Sequence, residues 1–203
     1  MFLFFLAIVV TIASFFIGSI PFGLLIAQKF CGIDPRQAGS HNVGATNVSR
    51  LCGFKWGLAT LGCDLLKGFL PCFLLSALGG DYSLLAYPAG LALICGHMFS
   101  YFLQYKGGKG VATTVGVFLA LAPLQLVLAG LACIFAIWRT GFVSAGSLTL
   151  VATLPLLFLV SARGGDLYFS LVVGALVVYA HRENIRRLIR GEEKSFLSGR
   201  GNP

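Results

Sequence analysis

The segment VATTVGVFLALAPLQLVLAGLACIFAIW, Val111 to Trp138, decides how many times this chain crosses a bilayer. At ~1.5 Å per residue a straight helix of that length would reach roughly 40 Å, longer than a hydrocarbon core of about 30 Å. Ala122-Pro123 sits near its middle, and a proline inside a helix removes a hydrogen bond and crowds the preceding turn. The segment therefore reads as two short spans meeting at Pro123. Five more apolar blocks flank the pair: Phe2 to Ala27, Trp56 to Leu78, Ser83 to Phe102, Gly141 to Ser161 and Leu167 to Ala180. The expectation is an all-α, polytopic membrane protein of about seven transmembrane helices.

Composition sets the same class. With 57% hydrophobic and 11% charged residues, and a mean hydropathy of +0.88, the chain carries more apolar surface than a soluble core of its 203 residues could bury. The N-terminus has no basic stretch, and its apolar run is too long for a signal-peptide core of about 7–15 residues, so it reads as a retained first span. The six cysteines lie in or near apolar segments without Cys-x-x-Cys spacing and read as small buried hydrophobes. No His, Cys and carboxylate cluster has metal-ligand spacing, so neither metal nor cofactor is expected.

A net charge of +8, from 15 Lys and Arg against 7 Asp and Glu, points to anionic headgroups or anionic substrates. Nucleic acid is not implied, because no basic run is interleaved with polar sequence. Cations also orient the chain. With about seven spans and the N-terminus outside, Lys29, Arg36, Arg50, Lys55, Lys106, Lys109, Arg139 and the basic end fall on the cytoplasmic side. Only Arg163 is left in an outer loop. The organisation expected is one integral membrane domain, residues 1–203, with 191–203 as a cytoplasmic tail.

On that topology three polar islands share the cytoplasmic face. The first runs from Gly39 to Arg50, GSHNVGATNVSR, after a turn set by Asp34-Pro35-Arg36. Gly39 and Gly44 allow backbone conformations that aim amides at a ligand, Ser40, Asn42, Thr46 and Asn47 add side-chain partners, and Arg50 supplies a planar fork suited to phosphate. The alternative is a polar connection with a snorkelling arginine. In the second island, Gly107-Gly108-Lys109-Gly110 precedes a helix starting near Val111, followed by Thr113. A helix N-terminus with glycines and a lysine suits an anion, although a flexible basic turn would satisfy the charge rule equally. It is not a Walker A loop, since Gly110 follows Lys109 where Ser or Thr is required.

The third island, from His181 to Arg187, places His181, Asn184 and Arg187 three apart on one helical face, while Arg182, Arg186 and Arg190 line a neighbouring face toward lipid headgroups. An amphipathic interfacial tail is the other reading. Inside the spans, Asp64 and Lys67 read as a local ion pair. His97 lies roughly three helical turns from Lys109 and reads as a helix-to-helix hydrogen-bonding residue. Ser144 and Ser147 begin the sixth span, with Ser147 as a fourth contributor to the polar face.

Together the islands resemble the three motifs of the bacterial acyl-phosphate:glycerol-3-phosphate acyltransferases, the PlsY family, in order and spacing along essentially the whole chain. The family's first motif reads close to G-S-x-N-x-G-A-T-N-V-x-R (Gly39 to Arg50), its second G-G-K-x-V-A-T (Gly107 to Thr113), and its third H-R-x-N-I-x-R-L (His181 to Leu188) followed by Gly191 and Glu193. His41 departs from the glycine common there.

The resemblance implies transfer of a fatty acyl group from acyl phosphate to the 1-hydroxyl of glycerol 3-phosphate, giving lysophosphatidate and phosphate in phospholipid biosynthesis. It implies a monomeric multi-pass protein of the bacterial inner membrane, surrounded by lipid. The catalytic residues it implies are Ser40, Arg50, Lys109, Ser147, His181, Asn184 and Glu193. Substrate binding falls to Asn42, Gly44, Asn47, Gly107, Gly108, Gly110 and Thr113. The His-x4-Asp pair of other glycerolipid acyltransferases is absent, since Thr46, Phe102 and Arg186 stand five past the three histidines. A transporter of a phosphorylated solute is the rival reading, against which stand the lack of an internal repeat and the one-sided islands.

Overall fold

In the computed structural model of the protein, which describes residues 1–196, the apolar blocks are helices and the chain divides into two compact units, one ending at Leu121 and the other beginning at Ala122. The first holds α1 (Phe2–Ser19), α2 (Phe22–Cys31), α3 (Ala45–Cys52), α4 (Phe54–Leu78), α5 (Gly80–Leu84), α6 (Ala86–Met98), a 3-10 turn at Tyr101–Leu103, and α7 (Val111–Leu121). The second holds α8 (Pro123–Thr140), α9 (Val143–Val160), α10 (Gly164–Ala180) and α11 (Arg182–Arg190).

The run from Val111 to Trp138 breaks where proline dictates. Ala122 leaves helical geometry at φ −152°, ψ 65°, and Pro123 opens α8, where its missing N–H costs nothing. The two halves are unequal. At 18 residues α8 is long enough to cross a bilayer, whereas the 11 residues of α7 reach only about 16 Å. Among the described residues, five helical segments are long and apolar enough to span, or six if α10 and α11, bent by 61° at His181, count as one. This is a multi-pass, all-helical membrane protein.

The first span departs from the expected single helix. It breaks at Ile20-Pro21, and two carbonyls at the break find side-chain donors: Ser100 Oγ reaches Ser19 O at 2.5 Å, and Lys67 Nζ reaches Ile20 O at 2.9 Å. Away from water such carbonyls must be paired within the protein. Packing in this unit rests on small residues. A side chain at Gly68 of α4 would lie 2.3 Å from Thr113 O, and one at Gly116 of α7 would lie 2.0 Å from Leu65 O. The α1 and α6 crossing repeats the device with Gly18 against Leu93 and Gly96 against Phe15.

In the second unit α8, α9 and α10 pack in sequence. Gly141, left-handed at φ 76°, makes the turn between α8 and α9, and Gly191 at φ 70° ends α11. Beyond it the chain folds back, and Phe196 N donates to Gly141 O at 2.8 Å. Residues 191–196 are thus docked rather than trailing; 197–203 of the expected tail lie outside the described residues.

Candidate active site

Around the first island the backbone is shaped by one buried side chain. Asn47, 2% exposed on α3, accepts from Ser40 N through Oδ1 at 2.8 Å, while its Nδ2 lies 2.9, 3.1 and 2.9 Å from the carbonyls of Pro35, Ala38 and Asn42. Gly39 must be glycine here: φ is 68°, and a Cβ would fall 2.2 Å from Asn47 Oδ1. Asn42 Oδ1 accepts from Gly44 N at 2.8 Å and so sets the entry to α3. The side chains of Asn42 and Asn47 and the amide of Gly44, expected to meet substrate, are engaged within the loop. Ser40 is exposed on the loop and Arg50 on α3.

At the start of the loop, Asp34 takes the Arg36 amide at 2.9 Å and its guanidinium at 2.6–3.1 Å. The side-chain hydrogen bonds from Arg36, with its amide and its charge, hold the carboxyl below the ordinary carboxylate value against the opposing desolvation. His41 sits in the left-handed region at φ 54° with Nδ1 3.0 Å from Arg36 O.

The second island is folded onto the end of α6. Gly107 N donates to Met98 O and Gly108 N to His97 O, both at 3.0 Å, so the amides of two of the three glycines expected to bind substrate here are spent capping a helix C-terminus. His97 is therefore not three turns away from Lys109, because the turn at Ser100–Tyr105 returns the chain to it. Glycine is needed at both positions for close packing: a Cβ would lie 2.1 Å from His97 O at Gly107 and 2.1 Å from His97 Nε2 at Gly108. Gly110, at φ 83°, then releases the chain into α7, where Thr113 is wholly buried against α4. Lys109 is half-buried.

In the second unit the organising group is Glu193. Ser144 Oγ and Asn184 Nδ2 donate to Oε1 at 2.7 and 2.5 Å, and Arg187 Nε donates to Oε2 at 2.7 Å. Burial raises its pKa, but these three donors together prevail and hold the carboxyl below its ordinary value. His181 stands at the bend between α10 and α11, 3% exposed, with Nδ1 2.8 Å from Val177 O. A carbonyl can only accept, so Nδ1 carries the proton and Nε2 is the basic nitrogen of the neutral ring. Ser147, expected to contribute, donates to Val143 O at 2.9 Å, and Ser144 is the serine that reaches the acidic residue. No local signal could have revealed a partner 49 residues away.

A family model described as glycerol-3-phosphate acyltransferase matches residues 8–191, the stretch that holds all three islands. The chain belongs to that family. It is 53% identical over 187 residues to a glycerol-3-phosphate acyltransferase of Desulfovibrio desulfuricans, covering 92% of this chain and 83% of the relative. Among solved structures it is similar to the crystal structure of PlsY, an integral membrane glycerol 3-phosphate acyltransferase, in its glycerol 3-phosphate form. That likeness has a TM-score of 0.88 at 40% identity, over 94% of this chain and 95% of the other. The lysophosphatidic acid form of PlsY gives 0.86 at 38% identity over the same shares. The acyltransferase motifs therefore lie on a fold shared with PlsY, with the Asn47 loop, the glycine cap on α6 and the Glu193 cluster as their local frames.

Proposed function

We propose that the protein transfers a fatty acyl group from acyl phosphate to the 1-hydroxyl of glycerol 3-phosphate, releasing lysophosphatidate and orthophosphate at the cytoplasmic face of the bacterial inner membrane. Arg50 and Lys109 bind phosphate groups, Lys109 taking that of the donor. Resemblance to the family's motifs assigns glycerol 3-phosphate to Ser40, His181 and Asn184. The hydroxyl oxygen bonds to the acyl carbon, the carbon–oxygen bond to phosphate breaks, and the hydroxyl proton passes to an oxygen of the departing phosphate.

The observation that carries the choice of donor is the state of the acidic side chains. Asp34 is neutralised by Arg36, and Glu193 is held by three donors, so both are weakened as bases. A donor that is already activated, and whose second phosphate pKa of about 6 lets it take the proton itself, needs no strong protein base. Placement of the two substrates then supplies much of the barrier reduction. Purified protein in detergent should release orthophosphate from acyl phosphate only when glycerol 3-phosphate is present. Turnover with an acyl thioester and none with acyl phosphate would refute the donor assignment.

A further inference from the structure

Beneath the second island lies a charged cluster that the proposed chemistry does not use. Asp64 and Lys67 of α4 form an ion pair at 2.7 Å with each side chain 3% exposed, and Lys67 also donates to the Ile20 carbonyl at the break between α1 and α2. Asp64 Oδ1 lies 3.5 Å from Nδ1 of His97, itself 7% exposed. Charges this deep are costly unless they are paired, and their retention calls for a reason beyond packing. The other edge of the His97 ring gives one. Nε2 occupies the space a Cβ on Gly108 would fill, and the His97 carbonyl takes the Gly108 amide. His97 thus supports the residue before Lys109 twice, once with its ring and once with its backbone.

We propose that Asp64 and His97 are positioning residues: anchored through Lys67 to the α1–α2 break, they fix the ring on which the Gly107–Gly108 backbone rests and so set where Lys109 presents its ammonium. The inference builds on the reading of Lys109 as the ligand of the donor phosphate. Tight placement is what such a site demands, since a displacement of about 1 Å can cost a hundredfold in rate.

The test compares His97→Leu, which removes both the donor to Asp64 and the polar ring edge, with His97→Asn, whose amide nitrogen can stand in for Nδ1. Two readouts are taken on purified protein in detergent: steady-state kinetics, and hydrogen exchange at the amides of Gly107 and Gly108. The Leu variant should raise the KM for acyl phosphate at least tenfold, change the KM for glycerol 3-phosphate less than twofold, and speed exchange at both amides at least tenfold. The Asn variant should stay within about threefold of wild type in all of them. In a Lys109→Ala background the Leu substitution should add less than twofold, because the two act through one contact.

A purely structural histidine would lower the folded fraction while leaving the KM of the surviving enzyme and the amide exchange unmoved, and that result overturns the proposal. So does additivity with Lys109→Ala. Should Lys109→Ala retain wild-type efficiency, the phosphate reading of Lys109 falls and takes the proposal with it. A loss at Lys109 beside an unaffected His97→Leu refutes the positioning role alone. If the Leu variant does not fold, the Asp64→Asn and Lys67→Met pair, which removes both charges together, is held to the same KM and exchange criteria.

Discussion

The loop around Asn47 and the tail around Glu193 are each organised by one side chain, in opposite ways. Asn47 is a neutral amide whose four partners are all backbone groups, so it dictates the path of the chain and leaves other side chains to face outward. Glu193 is an anion whose three partners are side chains from α9 and α11, so it gathers functional groups without shaping their backbone. The first arrangement cannot titrate and should fail as a unit. The second can titrate and should fail by degrees.

The largest effect should come from Asn47→Leu. It strands Ser40 N and three carbonyls, at about 1–3 kcal/mol for each unsatisfied group that water does not reach. The expected loss in kcat/KM is a thousandfold or more, with a lowered thermal midpoint in detergent. Activity within tenfold of wild type would mean that the loop does not depend on this amide. Next comes Arg50→Lys, on the same helix as Asn47, which keeps the charge and loses the fork. A charged hydrogen bond contributes about 1.5–3 kcal/mol, so kcat/KM should fall roughly tenfold to a hundredfold while the midpoint stays put.

Glu193→Gln sharpens the contrast through pH. The wild-type carboxyl is depressed in the folded state, so its stabilisation is fully present above the ordinary value of 4.5 and is lost as pH falls through the lower folded value. Glutamine cannot ionise. The wild-type advantage in thermal midpoint should therefore be largest near neutrality and shrink below about pH 4.5, with kcat/KM reduced about threefold to tenfold at pH 7. An advantage that stayed constant from pH 7 to 3.5 would remove the ionic account. The smallest effect is His41→Gly. Relief of a left-handed residue, about 1 kcal/mol, is offset by loss of the bond to Arg36 O and by the entropy of glycine, so the midpoint should move by less than about 3 °C.

Much of this architecture is legible in the order of residues. Long apolar blocks, the break at Pro123 and the glycine that ends α11 follow from rules that act within a few neighbours. The break at Ile20-Pro21 was hidden because apolar sequence continues on both sides, and the side chains that pair its carbonyls, Lys67 and Ser100, are distant in sequence. Polar residue type marked the islands but not the direction in which each side chain turns. Asn47 and Asn42 look like ligand contacts until the backbone curls around them. Gly107 and Gly108 invite the reading of an anion cradle, although the close approach they permit is to His97. The partner of Glu193 could be found only once α9 and α11 were in place.

The short α7 bears on how this protein is made. Eleven residues carrying Thr113 and Thr114 are a poor substrate for independent release into lipid during synthesis, since the segment covers about half the hydrocarbon depth. Its way in is the groove of α4, already inserted, whose Gly68 receives Thr113 O as its own Gly116 receives Leu65 O. Membrane integration of α7 is thus tied to a helix synthesised earlier. A bulky residue at Gly68 or Gly116 should show itself at the ribosome and translocon, as chain that is made but never integrated, before any enzyme exists to assay.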